Sequence, residues 1–249
     1  MCYKTSRVPP ARPRASRTKV VTIFLLQQFS AEQITEIGLL ITFLVMSLGL
    51  HEAAHAWVAW KCGDSTARDL GRITLNPIPH IDPVMTLILP TILYFATNGM
   101  IFGGAKPVPV NGYNLRRPLR DMAFVAFAGP LTNFLLACLF WLAYRVVVEQ
   151  LGLWPNGSVG SRVLAQATFF NLLLAAFNMI PIPPLDGSRI LAWLLPTSLR
   201  EGYRRLEGIG MILIFFLIFR VPAFQGFLQD TIRALMQAVD YGVSLGGLW

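Results

Sequence analysis

Residues 37–60 read IGLLITFLVMSLGLHEAAHAWVAW, an apolar run whose only ionisable side chains are His51, Glu52 and His55. A helix of this length reaches about 36 Å, which is enough to cross a hydrocarbon core of about 30 Å. The stretch therefore predicts a transmembrane helix that carries three ionisable groups. Each such group costs roughly 2.5 kcal/mol or more in lipid, so intramembrane ionisable groups are by default functional. The alternative is a helix end at the membrane surface, where these groups meet water.

The composition of the whole chain agrees with a membrane environment. Of the 249 residues, 54% are hydrophobic and only 14% are charged, whereas soluble domains carry about 25% charged residues. We expect an all-α polytopic membrane protein in a lipid bilayer, with about five to six membrane segments. The further apolar runs are residues 20–29, 84–102, 122–148, 163–195 and 208–228.

The domain organisation follows from these runs. We expect a basic N-terminal tail at residues 1–19, a membrane-embedded domain at 20–228, and an amphipathic C-terminal segment at 229–249 that lies at the membrane interface. The net charge is +8, but the basic residues occupy short loops between apolar runs, as the positive-inside rule describes. We therefore expect no nucleic-acid partner. The three cysteines are too few and too scattered for a disulfide framework or a cysteine-based zinc site.

The spacing of His51 and His55 predicts a metal site. Histidines four residues apart lie on one helical face, about 40° apart, so both imidazoles can reach one ion. Glu52 points to the side where a metal-bound water could sit, and it can act as the general base for that water. By itself the pattern also occurs by chance on ordinary helices.

A catalytic zinc site needs a third protein ligand and an open fourth position. Asp186 is the best candidate, because it lies in a second long apolar stretch where an unpaired carboxylate is costly. The prolines at 181, 183 and 184 interrupt helical hydrogen bonding just before it. Irregular backbone at membrane depth is tolerated only where protein or a watery cavity surrounds it. The alternative is a surface loop in which Asp186 caps a helix.

Three motifs now resemble the signatures of the site-2 protease family, the intramembrane zinc metalloproteases. They are HEAAH at 51–55, FAGPLTN at 127–133 and FNMIPIPPLDG at 177–187. The connectors at 63–77 and 105–111 are similar to those of the compact bacterial branch, which lacks a PDZ domain. The resemblance covers roughly residues 45–195, with the motifs in the expected order.

This resemblance implies one Zn²⁺ per chain, held by His51, His55 and Asp186, with Glu52 as general base. It implies that Asn178 lies near the site, where it orients the substrate or the developing oxyanion, and Asn133 is a second candidate for that role. The implied substrates are transmembrane segments of membrane-tethered proteins. The competing hypothesis is a catalytically silent membrane scaffold or transporter that reuses the fold, but a binding-only metal site has no need of Glu52. The oligomeric state is not predicted.

His80 is the one other histidine. It could be an alternative metal ligand or a substrate-site donor, but we favour a structural residue in a tight proline-rich loop, because two histidines and an aspartate already complete a zinc site. We also expect short strands at residues 71–75 and 106–110, the second because its alternating prolines preclude a helix.

The threading of the chain follows from the metal site. His51 and Asp186 must lie at the same depth, so residues 84–102 must start and end on one side as a re-entrant hairpin. Both flanking connectors are basic, which predicts a cell (inner) membrane protein whose active site opens toward the cytosol. The N-terminal tail is cytosolic if residues 20–29 belong to an additional tilted crossing, and outside if they do not.

Overall fold

A computed structural model describes residues 30–88, 92 and 103–245 of the chain. Within these residues the protein is built from helices. Their bounds are Ala31–Lys61 (α1), Thr66–Asp69 (α2), Pro118–Tyr144 (α3), Val159–Asn178 (α4), Asp186–Leu194 (α5), Thr197–Arg204 (α6), Gly210–Arg220 (α7) and Pro222–Leu245 (α8). Short 3₁₀ turns span Ile78–His80, Gly112–Asn114 and Arg205–Gly208, and π-helical turns span Pro83–Ile88 and Arg145–Gln150.

Helix α1 begins earlier than the apolar run that predicts it. Ser30 and Gln33 form a capping box, in which each side chain bonds the other's backbone N–H. The helix ends at Lys61, and Gly63 follows with φ of 116°, a left-handed conformation that suits glycine. This extra N-terminal turn gives α1 31 residues and places the histidine pair in its final third.

Helices α1, α3 and α4 pack as an up–down–up layer. Phe43 of α1 meets Phe140 of α3, whereas His55 meets Val125, so α1 and α3 are antiparallel. Glu36 near the start of α1 pairs with Arg162 near the start of α4, at 2.7 Å. The two helices therefore run parallel, and the C-terminal end of α4 lies at the same depth as the histidine pair.

The predicted number of membrane segments is not confirmed. In the described part of the chain, α1, the stretch Pro118–Gln150 and α4 are long and apolar enough to cross a membrane. A fourth span results if α7 and α8, which meet at 89°, are counted as one broken crossing. Residues 1–19 and 20–29, and most of the proposed hairpin at 84–102, lie outside the described residues.

The predicted short strands are not confirmed either. Residues 71–75 and 103–111 have no regular secondary structure, and no strand is present among the described residues. Pro107 and Pro109 have no N–H, so residues 106–110 cannot build a complete ladder. The backbone of residues 106–110 is held instead by individual hydrogen bonds with His80, Arg72 and Glu52 of α1.

The C-terminal part of the chain packs against the helical layer. Residues 229–245 continue α8, and Val239 is buried against Ala137 of α3 and Leu172 of α4. The predicted apolar run at 163–195 is divided, because α4 ends at Asn178 and α5 begins only at Asp186. The break between these two helices directs Asp186 back toward α1.

Candidate metal centre

Three side chains from two distant parts of the sequence converge at the predicted metal site. The Nε2 atoms of His51 and His55 are 3.0 Å apart. Asp186 Oδ2 lies 3.3 Å from the first and 3.4 Å from the second. Both histidines are buried, and the Asp186 side chain is 20% exposed. The structure thus brings together the three predicted metal ligands.

Two glycines make this close approach possible. A Cβ on Gly129 of α3 would lie 2.5 Å from Cε1 of both His51 and His55, so any larger residue would collide with the two imidazoles. A Cβ on Gly187 would collide with the backbone carbonyl of Met179. Glycine at these positions lets α3 cover the histidine pair and lets the chain fold back at Asp186.

The Nδ1 atoms of the two imidazoles form hydrogen bonds on the side that faces away from the metal site. His55 Nδ1 lies 2.6 Å from the Val125 carbonyl oxygen, which can only accept, so Nδ1 carries the proton and donates. His51 Nδ1 likewise meets Asn133 Oδ1 at 2.5 Å. Both Nε2 atoms then present lone pairs to the site, as metal-binding histidines held by outer hydrogen bonds do.

The donor set fits a zinc ion. Tetrahedral zinc with bonds of about 2.0–2.2 Å places its ligand atoms about 3.3–3.6 Å from one another, close to the separations of 3.0, 3.3 and 3.4 Å found here. Asp186 Oδ2 is also buried without hydrogen-bond geometry to any described residue. A buried carboxylate oxygen without a partner is costly, and a cation held jointly with the histidines would compensate it.

Glu52 lies beside the histidine pair, half-buried. One ligand-type atom from each of His51, Glu52 and His55 lies within 4.8 Å of the other two. The Glu52 Oε2 atom accepts the N–H of Val108 at 2.8 Å. One carboxylate oxygen is therefore fixed by the backbone of the 103–111 segment, and the other is left for chemistry.

The 103–111 segment is tied to the loop before it. Lys106 N–H donates to the His80 carbonyl at 2.8 Å, and Arg72 Nη2 donates to the Lys106 carbonyl at 2.6 Å. Asn111 N–H donates to the buried carboxylate of Asp64 at 2.7 Å. Burial alone would raise the pKa of Asp64, but hydrogen bonds from Thr66, Asn114 and Asn111 hold that pKa below its ordinary value.

His80 lies apart from the three converging ligands. It is 2% exposed, and its ring packs against α1 beside Gly49. Its Nδ1 atom is 3.4 Å from Arg72 Nη2, and its Nε2 atom has no hydrogen-bond partner among the described residues. Burial, together with the Arg72 charge, lowers the pKa of His80.

The two asparagines predicted from the resemblance lie in different surroundings. Asn178 ends α4, and its side chain donates to the Leu174 carbonyl of the same helix at 3.0 Å. Asn133 is fully buried, and its amide contacts His51 and Asn171. Sequence reasoning missed Asn171 and its partner Ser47, although each is a polar residue in an apolar run, the same signal that identified His51.

Comparisons with known proteins find a family model and several relatives that are similar to this chain. The model of peptidase family M50 matches residues 158–221. YwhC of Bacillus subtilis, which is named as a proposed zinc metalloprotease, is 37% identical over 74% of this chain and 80% of its own length. Rip2 of Mycolicibacterium smegmatis, named in the same way, is 34% identical over 60% of this chain and 54% of its own. Rip2 of Mycobacterium tuberculosis is 32% identical over 73% and 66%. No solved structure matches the chain.

Proposed function

Because the chain belongs to peptidase family M50, the site-2 proteases, we propose that it is an intramembrane zinc metalloprotease. It hydrolyses peptide bonds in or beside transmembrane segments of membrane-tethered proteins. The observation that carries this proposal is the convergence of His51, His55 and Asp186 with Glu52 beside them. The test is to replace Glu52: we expect the variant to keep its metal and to lose cleavage.

The chain's own residues divide the chemistry between them. His51, His55 and Asp186 would hold one zinc ion, which would supply Lewis-acid chemistry at this site by polarising the scissile carbonyl and lowering the pKa of the attacking water. Glu52 takes the proton from the attacking water and delivers it to the leaving amine nitrogen as the C–N bond breaks. The Val108 N–H fixes one Glu52 oxygen, so the other has a defined direction toward the water.

The 103–111 segment is the element that holds an unwound substrate. Alternating prolines favour an extended backbone, in which residues two apart face the same edge. Lys106 and Val108 use that edge to bond His80, Arg72 and Glu52. The Val108 carbonyl and the Val110 N–H have no partner among the described residues, so they are available to an extended peptide next to Glu52. Asn178 stays a candidate for orienting the substrate.

Val108 is proposed to act on catalysis and Val110 on substrate binding, so substitutions at the two positions should change kcat and KM differently. Val108→Pro removes the N–H that holds Glu52, and we expect kcat to fall roughly 10- to 100-fold, as small misplacements of reacting groups do. Val110→Pro removes a substrate-binding donor instead, so KM should rise more than kcat falls. Val108→Ala keeps the N–H and serves as the matched control.

The measurement is steady-state cleavage of a fluorescent transmembrane peptide in proteoliposomes, with zinc content measured on each variant. If Val108→Pro and Val108→Ala have equal kcat values, the Val108 N–H does not position Glu52. If Val110→Pro leaves KM unchanged, substrate does not use this edge.

The active site is proposed to open toward the cytosol of a cell-membrane protein. The connector that follows α1 and the one that precedes α3 contact each other directly, through Asp64 to Asn114 at 2.9 Å and Arg116 N–H to the Cys62 carbonyl at 3.1 Å. This contact supports a re-entrant path for residues 84–102, which begin and end at one surface. Both connectors are basic, in agreement with a cytosolic location.

Single cysteines test this threading in a chain whose native cysteines are replaced by serine. Leu70→Cys and Tyr113→Cys place thiols at positions that are 64% and 98% exposed on the two connectors, and Leu153→Cys, at a position 66% exposed between α3 and α4, is the control for the opposite face. We expect an impermeant thiol reagent to label positions 70 and 113 only from the cytosolic side, and 153 only from the other. Labelling of 70 and 113 from opposite sides would make 84–102 a true crossing.

A further inference from the structure

A chain of buried amide and hydroxyl groups connects three helices behind His51. Ser47 of α1, Asn133 of α3 and Asn171 of α4 are each no more than 1% exposed. Asn133 Nδ2 donates to Asn171 Oδ1 at 3.0 Å, and Asn171 Nδ2 donates to Ser47 Oγ at 3.0 Å. Buried amides are costly unless they are hydrogen-bonded, so the orientation of each amide is constrained by the others.

One backbone carbonyl sets the donor-to-acceptor direction of all the hydrogen bonds in this series of side chains. Asn171 Nδ2 also lies 2.9 Å from the Ala167 carbonyl oxygen of its own helix, which can only accept. The NH₂ group of Asn171 must therefore face Ala167 and Ser47, and its oxygen must face Asn133. Asn133 in turn presents NH₂ to Asn171 and its oxygen to His51 Nδ1.

We propose that Asn171 is a positioning residue that fixes His51 in the tautomer able to bind metal; this inference rests on the proposed function. An oxygen facing His51 Nδ1 requires the proton on that nitrogen, which leaves Nε2 with a lone pair directed at the site. The hydrogen bonds of Asn171 go to Asn133, Ser47 and Ala167, and none of them goes to His51, His55 or Asp186. Asn171 acts only through Asn133.

The consequence of losing Asn171 follows from the same geometry. Without an acceptor facing its NH₂ group, the Asn133 amide is free to rotate by half a turn and present NH₂ to His51. His51 Nδ1 would then have to accept, and the proton would move to Nε2, the nitrogen that must bind zinc. The competition between the two tautomers lowers metal affinity without removing any ligand.

Substitutions at position 171 separate this role from packing. Asn171→Leu and Asn171→Val remove the acceptor and put an apolar side chain into an apolar layer. Asn171→Asp keeps an oxygen for Asn133 but loses the donors to Ala167 and Ser47 and buries a charge. Thr168→Val is the matched control, because Thr168 is 1% exposed on the same helix and its hydroxyl donates only locally, to the Leu164 carbonyl at 2.9 Å.

The readouts are zinc affinity, by competition with a chelating dye in detergent, and the unfolding midpoint of each metal-free protein. We expect Asn171→Leu and Asn171→Val to bind zinc about 10-fold more weakly, the lower end of the loss caused by removing a group that hydrogen-bonds a metal ligand, because Asn133 itself remains. Asn171→Asp and Thr168→Val should stay within about threefold of the parent affinity. We also expect Asn171→Asp to unfold at the lowest temperature, since it leaves a buried charge unpaired, so the order of stability differs from the order of zinc affinity.

The inference is overturned if the Leu and Val variants bind zinc as tightly as Thr168→Val, or if Asn171→Asp loses as much affinity as they do. Either variant of the apolar pair is sufficient if the other does not fold. A parent protein that binds no zinc would instead contradict the proposed function. The two failures are therefore distinguishable in one set of titrations.

Discussion

Replacement of Glu52 by glutamine is expected to lower the cleavage rate by a factor on the order of 10²–10⁴ or more, the usual contribution of a general base. Zinc content should stay at the parental level, because His51, His55 and Asp186 are untouched. The glutamine oxygen can still accept the Val108 N–H, so the side chain keeps its position. What it loses is the ability to take a proton from water.

The comparison needs purified parent and variant in the same proteoliposomes, with zinc per chain and cleavage of a model transmembrane substrate measured together. Glu32→Gln is a matched control, since Glu32 lies on the same helix with its side chain 76% exposed. An active Glu52→Gln variant would remove Glu52 from the mechanism. A parent that holds zinc but cleaves no membrane substrate would favour the silent scaffold or transporter.

Replacement of Asp186 by asparagine is expected to weaken zinc binding by about 100-fold or more and to abolish cleavage. Loss of even an outer-shell partner costs about 10- to 100-fold, and here a direct ligand loses the charge that two neutral imidazoles cannot supply. The substitution is nearly isosteric, so packing around α5 should change little. Metal analysis of the purified variant, in the detergent used for the parent, measures the effect.

His80→Asn provides the control for this experiment. His80 is buried like His51 and His55 but lies apart from the converging ligand atoms, so its replacement should leave zinc occupancy close to parental. If the His80 variant loses zinc while the Asp186 variant keeps it, the ligand set is wrong and the site contains three histidines.

Apolar runs and motif spacing predict the core of this protein well. The runs beginning at residues 37, 122 and 163 correspond to α1, α3 and α4, because an uninterrupted apolar stretch in lipid must satisfy its backbone within a helix. The three predicted ligands also converge in the structure. Polar groups in such runs are expensive, and this is why the sequence singles out these side chains; their roles in catalysis stay a proposal.

Other features are not predicted by apolar runs and motif spacing. The early start of α1 comes from the Ser30–Gln33 capping box, a local signal that a search for apolar runs overlooks. The resemblance makes Asn133 a candidate for the oxyanion site, but whether its amide faces substrate or the back of His51 depends on α4. We now propose the second role. His80, Glu52 and Arg72 hold the 106–110 backbone by hydrogen bonds. The strand prediction rests on the alternating prolines alone.

Zinc-edge X-ray absorption of the purified protein needs no substrate and reports directly which atoms bind the metal. We expect zinc bound by two imidazoles and oxygen ligands, with no sulfur, and loss of this signal in Asp186→Asn. This ligand set is contradicted if the zinc is bound by three imidazoles or by a cysteine sulfur. It is also contradicted if the protein takes up no zinc when zinc is supplied.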